Sequence, residues 1–378
     1  MPNDILEDVA AFHAQTLVID THADTPQRFL DEGWNFGDPL DGGGHLSLDT
    51  AQQGGLNAEF FALWAEPVAW KGHFAHRTFA LLDAVLQQCA RYPDRMSLCT
   101  SPEDIERTFR AGKFAALMGV EGGHSIENDL ALLRLYHRLG ARYMTLTWAN
   151  TNEWADSSGD LDDPDVKHHG GLTPFGHDVV REMNRLGMMV DVSHVSDATF
   201  WDVLDCARKP VVATHSCARS LTDVPRNLTD DMIRAIASTN GVVMVNFYPA
   251  FLHKPWNDAW EAQYPERKAA KAILAAQYPN GRIPAGVWER HVFAYARQLP
   301  PAPLSALLDH IDHIARVAGI DHVGIGTDLD GVPALPAGLA SAADLPSITS
   351  GLAKRGHTPA DLSKLLGRNL MRVFADNG

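Results

Sequence analysis

Cysteine is scarce: only Cys89, Cys99, Cys206 and Cys217 occur, with no C-x-x-C spacing. So few in a chain of 378 residues do not form a disulfide framework, and reduced thiols are expected. Positive charge is also short. Lys and Arg total 32 against 47 Asp and Glu, a net charge of −15. That balance argues against nucleic acid or an anionic membrane as partner, since either needs a basic face. No apolar stretch, 241–252 among the longest, reaches the ~18–20 residues of a membrane span. The first sixteen residues carry Asp4, Glu7 and Asp8 and no Lys or Arg, unlike the basic start of a secretory signal. A cytoplasmic chain is expected. No internal repeat is visible, and no G-x-G-x-x-G follows the first apolar run, which weighs against dinucleotide binding.

What the sequence does have is a run of short apolar segments. Eight of them, at 17–24, 57–66, 113–121, 141–148, 188–194, 210–215, 241–248 and 322–328, read as strands buried on both faces. Helical patterns lie between them, near 76–90, 127–139, 174–186, 197–207, 229–238, 303–318 and 359–375. Thr173 before Pro174, with Gly187 as a stop, frames one helix, and Thr229 caps another. Eight strands alternating with helices predict an α/β fold, a single (β/α)8 TIM-type barrel over 1–378. The runner-up is a doubly wound open sheet. Residues 250–302, rich in aromatics and Pro, form an insert between the seventh and eighth strands that should carry its own helices and cover one barrel end. The acidic stretch 156–171 reads as a solvated loop.

Five of the predicted strands end in metal-binding residue types: His22 and Asp24 on the first, Glu121 on the third, His194 on the fifth, His215 on the sixth and Asp328 on the eighth. In such a barrel these ends share one face, where the active site lies. His22 and Asp24, two apart on a strand, point the same way. Imidazole with carboxylate suits Zn²⁺, Mn²⁺, Co²⁺ or Fe²⁺. The set suffices for two ions if one carboxylate bridges, and Glu121, within Gly119-Val120-Glu121-Gly122-Gly123, is the natural bridge. Two close ions would generate hydroxide and clamp a tetrahedral transition state. Asp328 and Asp330, two apart at the end of strand eight, divide the roles of ligand and general base between them in an order that spacing leaves open. Cys217, with no base in obvious pairing, reads as structural.

These motifs resemble the renal (membrane) dipeptidase family, peptidase family M19. The stretches that carry the likeness include IDTHAD at 19–24, GVEGGHSIE at 119–127, RYMTLT at 142–147, EWADSSGD at 153–160, the run 171–196, ATHSCARSL at 213–221, VPRNLTDDMIR at 224–234 and GIGTDLDGVP at 324–333. They cover nearly the whole chain outside the insert. The resemblance implies two zinc ions: His22 and Asp24 on one, His194 and His215 on the other, and Glu121 bridging. It implies attack by the hydroxide between them, Asp328 as proton shuttle to the leaving amine, and Arg226 on the substrate carboxylate, a duty suited to its planar fork. L-Xaa-D-Xaa dipeptides and a homodimer are implied as well. The sequence departs from the family at Trp148, where many members carry a His that polarises the scissile carbonyl. Trp148 offers one N–H donor and no acceptor, so it either donates that bond or walls the pocket, with His168 or His169 as substitutes. An alternative function on the same fold is hydrolysis of a non-dipeptide amide, lactone or ester.

Overall fold

The computed structural model describes residues 8–40, 43–279 and 282–378. Among the described residues there are nine strands: β1 Ile19–Ala23, β2 Ala58–Trp64, β3 Met96–Leu98, β4 Phe114–Glu121, β5 Ala141–Thr145, β6 Met189–Asp191, β7 Val211–Ser216, β8 Val242–Val245 and β9 Val323–Ile325. All pair in parallel, in the order β1-β2-β4-β5-β6-β7-β8-β9, with β3 attached outside the ring to β4. The seam between β9 and β1 is stitched beyond the regular ladder. Asp328 N–H donates to His22 O at 3.0 Å and Asp24 N–H to Leu329 O at 2.9 Å. Asp20 adds a side-chain link, accepting Thr327 N–H at 2.8 Å. The eight expected strands are therefore the eight staves of a (β/α)8 barrel.

Alternation along each strand sends side chains into two apolar layers. Ile19, Phe60, Leu117, Tyr143, Met189, Val212 and Met244, from seven of the eight staves, form one buried cluster with Leu370, Val373 and Phe374 of the last helix. Contributors from so far around the ring can meet only inside it. The alternate residues, among them Val18, Phe61, Met118, Met144, Val190, Val211, Val243 and Val323, pack outward against the helices. Gly119 sits opposite Tyr143 in the β4–β5 register. A Cβ there would lie 2.0 Å from the Tyr143 ring, so the glycine makes room for it.

The helices start where the sequence caps them. Thr173 accepts from Gly176 N–H and Thr229 from Met232 N–H, while Gly187 ends its helix at φ 75°. Two expectations shift. The 359–375 helix is broken into Pro359–Ser363, a π-turn over Lys364–Arg368, and Asn369–Asn377. The 127–139 helix begins only at Leu130, after a 3₁₀ turn at Gly123–Ile126. The insert carries helices Pro249–Leu252, Lys254–Ala262, Tyr264–Ala275 and Ala285–Ala296. Trp256 and Trp260 anchor it in a small core of its own. It reaches over the strand ends: Arg282 donates to Ala69 O at 2.8 Å and stacks on Trp70, in the loop after β2. Phe293 meets His45, in the loop after β1, with ring centroids 5.8 Å apart.

Candidate active site

Residues spread over three hundred positions meet at the C-terminal mouth of the barrel. Glu121, at the end of β4, stands at the centre. Its Oε2 lies 3.4 Å from His22 Nε2, and its Oε1 lies 3.1 Å from His194 Nε2 and 3.5 Å from His215 Nε2. Asp24 Oδ2 is 3.7 Å from His22 Nε2. Ligand atoms of His22, Glu121 and His215 fall within 4.8 Å of one another, as do those of His22, Asp24 and Asp328. Six of the predicted residues thus occupy one cup.

The donor set fits metal ions. Among the described residues His22 Nε2 and Asp24 Oδ1 are buried with no hydrogen-bond partner, a costly state that a cation relieves. His194 Nε2 and His215 Nε2 face each other at 2.9 Å, so a proton or a cation must stand between their lone pairs. Electrostatics agree. Burial opposes charge on Glu121, but the His22 charge and the imidazole hydrogen bonds hold it well below the usual carboxylate range. Burial and then the Arg226 charge depress His194 to about 4, and burial with the His22 charge lowers His215. Burial and then the Glu121 charge push Asp24 up to about 7. His194 and His215 are thus neutral beside an ionised Glu121, the state that metal binding requires. Against burial, Glu121 and Asp24 raise His22 well above the ordinary imidazole value, so that a cation bound there takes the place of its proton.

The structure separates the two aspartates that spacing left open. Asp330 is consumed elsewhere: its Oδ2 accepts from Thr25 Oγ1 at 2.6 Å, its Oδ1 from His45 N–H at 2.5 Å, and it is 1% exposed. Asp328 faces the cup, with Oδ2 held by Asn246 Nδ2–H at 2.8 Å. Burial raises its carboxyl above the ordinary value, against the pull of His22 and with the Glu121 charge. Neither residue lies on the strand, which ends at Ile325. Asp328 and Asp330 adopt left-handed φ of 64° and 65°, and His194 φ 69°. Such backbone is uncommon outside glycine, Asp and His being among the types that adopt it most readily, and it clusters at functional sites. Gly331 lets the carboxylates approach, since a Cβ there would lie 2.2 Å from Asp24 Oδ2 and 2.3 Å from Asp328 Oδ1.

Arg226 is anchored beside the cup, Nη1 on Ser216 Oγ and Nη2 on His215 O, both at 2.7 Å. Trp148 is half-buried at the rim, its ring 4.8 Å from that of Trp64 and 6.3 Å from that of His194. His169 does not join the cup: its Nε2 bonds Asn152 O at 2.9 Å. His168 is half-buried, and both its ring nitrogens lack a hydrogen-bond partner among the described residues. The acidic stretch is only partly a solvated loop. Asp162, Asp163 and Asp165 are exposed, whereas buried Asp156 accepts N–H bonds from His169, Gly170 and Gly171 and ties the loop down. Cys217 donates to Asn246 O, and burial pushes its thiol up to about 12, in keeping with a structural role. All four cysteines are free.

Several site residues escaped sequence reasoning: Tyr143 (its hydroxyl 2.9 Å from His22 Nδ1), Asn246, Asp191 and Thr214. The available signal was a polar side chain inside an otherwise apolar strand.

A family model described as membrane dipeptidase (peptidase family M19) matches residues 6–377. The chain belongs to peptidase family M19. As a member it is a metal-dependent dipeptidase, a hydrolase. Dipeptidase tcpJ of Claviceps purpurea (strain 20.1) is 31% identical over 341 residues, covering 88% of this chain and 69% of that protein. The probable dipeptidase PvdM from Pseudomonas aeruginosa superposes at a TM-score of 0.84 with 28% identity, over 100% of this chain and 99% of that one. A metallo peptidase from Rhodobacter sphaeroides, liganded with a phosphinate mimic of the dipeptide L-Ala-D-Ala, gives a TM-score of 0.75 at 26% identity, over 96% and 100%. No helix among the described residues is long and apolar enough to cross a membrane.

Proposed function

We propose that this M19 chain cleaves dipeptides, with L-Xaa-D-Xaa preferred, at a centre of two zinc ions held by His22, Asp24, Glu121, His194 and His215. The observation that carries this is the placement of Glu121, whose Oε2 faces His22 and whose Oε1 faces His194 and His215, so that this one carboxylate would serve both halves of the donor set. Bound ions supply Lewis acidity and lower the pKa of water. The chain's own residues do the rest. Arg226, its fork fixed by Ser216 and His215 O, takes the substrate carboxylate. Asp328, steadied by Asn246, accepts a proton on its carboxylate and returns it to the leaving amine. Trp148 and Trp64 wall the His194 side and exclude water from the scissile bond. The Rhodobacter sphaeroides complex with an L,D-dipeptide mimic supports the choice of substrate class. On the family resemblance the same reading makes the enzyme a cytoplasmic homodimer of one catalytic unit per chain.

The test is hydrolysis of a panel of L,D- and L,L-dipeptides with added Zn²⁺, alongside metal analysis. Rapid cleavage of L,D-dipeptides at two zinc per chain is expected. Bound metal with no cleavage of any dipeptide overturns the reading. A second reading keeps the metals and changes the bond to a non-dipeptide amide, lactone or ester. Trp148 favours it, because an indole stands where the family resemblance calls for a histidine. Arg226→Ala separates the two: it impairs only substrates with a free carboxylate.

A further inference from the structure

The structure assigns Asp191 a positioning role: through Thr214 it fixes His215 as the tautomer whose Nε2 carries no proton and faces Glu121 and His194. Asp191 ends β6 and is fully buried. Its Oδ1 accepts Ser193 N–H at 3.0 Å and Thr214 N–H at 2.9 Å. Its Oδ2 accepts the hydroxyls of Thr145 at 2.5 Å and Thr214 at 2.6 Å. Four donors converge on one carboxylate, which therefore has nothing to donate.

The proton count then runs in one direction. Thr214 Oγ1 has a single proton, and that proton goes to Asp191. The same oxygen lies 2.8 Å from His215 Nδ1, so it must accept there, and His215 must carry its proton on Nδ1. Nε2 is left as a lone pair, 3.5 Å from Glu121 Oε1 and 2.9 Å from His194 Nε2. A second bond, His215 N–H to Ser193 Oγ at 3.1 Å, fixes the backbone of the same residue. The opposite wall lacks this directionality. His22 Nδ1 meets the Tyr143 hydroxyl at 2.9 Å, and a phenol both donates and accepts. Among the described residues the chain from Asp191 thus forces one histidine where Tyr143 leaves the other free. Partners of this kind raise ligand basicity and hold the ring in place, and losing one costs about 10–100-fold in metal affinity.

The inference rests on His215 as a metal ligand only in its second half, so two measurements are paired. Two-bond ¹H–¹⁵N spectra of the metal-free protein read the tautomer directly; Nδ1–H is expected, and Nε2–H overturns the assignment whatever the enzyme hydrolyses. Chelator competition with Zn²⁺ then compares Thr214→Val, nearly isosteric, with the unaltered protein. A loss of about 10–100-fold in affinity, with the melting temperature little changed and with recovery in Thr214→Ser, is expected. A folded Thr214→Val protein of undiminished affinity overturns the role. If Thr214→Val does not fold, the spectra of the unaltered protein still decide.

Discussion

The floor and the mouth of the barrel are built from the same strands and differ in what they tolerate. β1 begins at Ile19, in the apolar floor, and three residues later presents His22. β7 passes in the same way from Val212 to His215. On the floor, side chains interlock with the final helix by packing, and among those named only the Tyr143 hydroxyl reaches out of it, by a hydrogen bond with His22. At the mouth, three imidazoles and three carboxylates crowd together, and two of them, His194 and Asp328, sit on left-handed backbone. The packed floor holds a mouth in which the carboxylates Asp24, Glu121 and Asp328 oppose one another's charge.

Five substitutions bear on that contrast. Glu121→Gln is expected to have the largest effect, a loss of activity on the order of 10⁴-fold together with loss of bound metal, while circular dichroism stays native. Retained metal would mean that the mouth does not depend on its central carboxylate. Asp328→Asn should lower kcat by about 10²–10⁴-fold with metal content unchanged, as measured by elemental analysis. Met244→Ala, on the floor, should do the reverse. Stability falls by about 2–5 kcal/mol in urea titration, and kcat per folded molecule is unchanged; a large fall in kcat would erase the distinction between the two halves. Arg226→Ala should raise KM for free-carboxylate dipeptides by about 10–100-fold, the worth of one charge-assisted hydrogen bond, and leave neutral substrates nearly untouched.

The smallest effect concerns the buried carboxyls Asp20 and Glu59, paired in the β1–β2 register. Burial pushes Asp20 up to about 6, and burial with the Asp20 charge raises Glu59 well above its ordinary value. A carboxyl raised on folding stabilises the protein fully below its unfolded pKa and loses that contribution as pH rises through the folded one. Glu59→Gln, which cannot ionise, should therefore melt progressively higher relative to the unaltered protein as pH rises from about 5 to 8. A pH-independent difference would remove Glu59 from the titration.

The eight staves were legible because parallel strands buried on both faces leave continuous apolar runs, and their order brought the metal-type residues to one rim. What the runs concealed was where hydrogen bonding stops. His194, Trp148 and Asp328 all lie past the regular ladder, and although His and Asp adopt left-handed backbone more readily than most residues, no local pattern singles out His194 and Asp328 for it. β3 was missed because Met96–Leu98 sits among the polar residues Arg95, Ser97, Thr100 and Ser101, with no continuous apolar run, and pairs only with the first residues of β4, Phe114–Ala116. The choice between Asp328 and Asp330 was beyond local pattern, because it is made by Thr25 and His45 from the other end of the chain. Asp191 and Thr214 were hidden for a related reason. A polar residue in an apolar strand shows that it needs a partner, and only the folded register shows which one.

Gly331 has a practical consequence. Its backbone is not left-handed, so a methyl group there asks nothing unusual of the main chain; it would simply wedge apart the acids on either side. Gly331→Ala would leave Arg226 and the tryptophan wall in place around a disabled centre, a decoy able to capture an uncleaved ligand for crystallography.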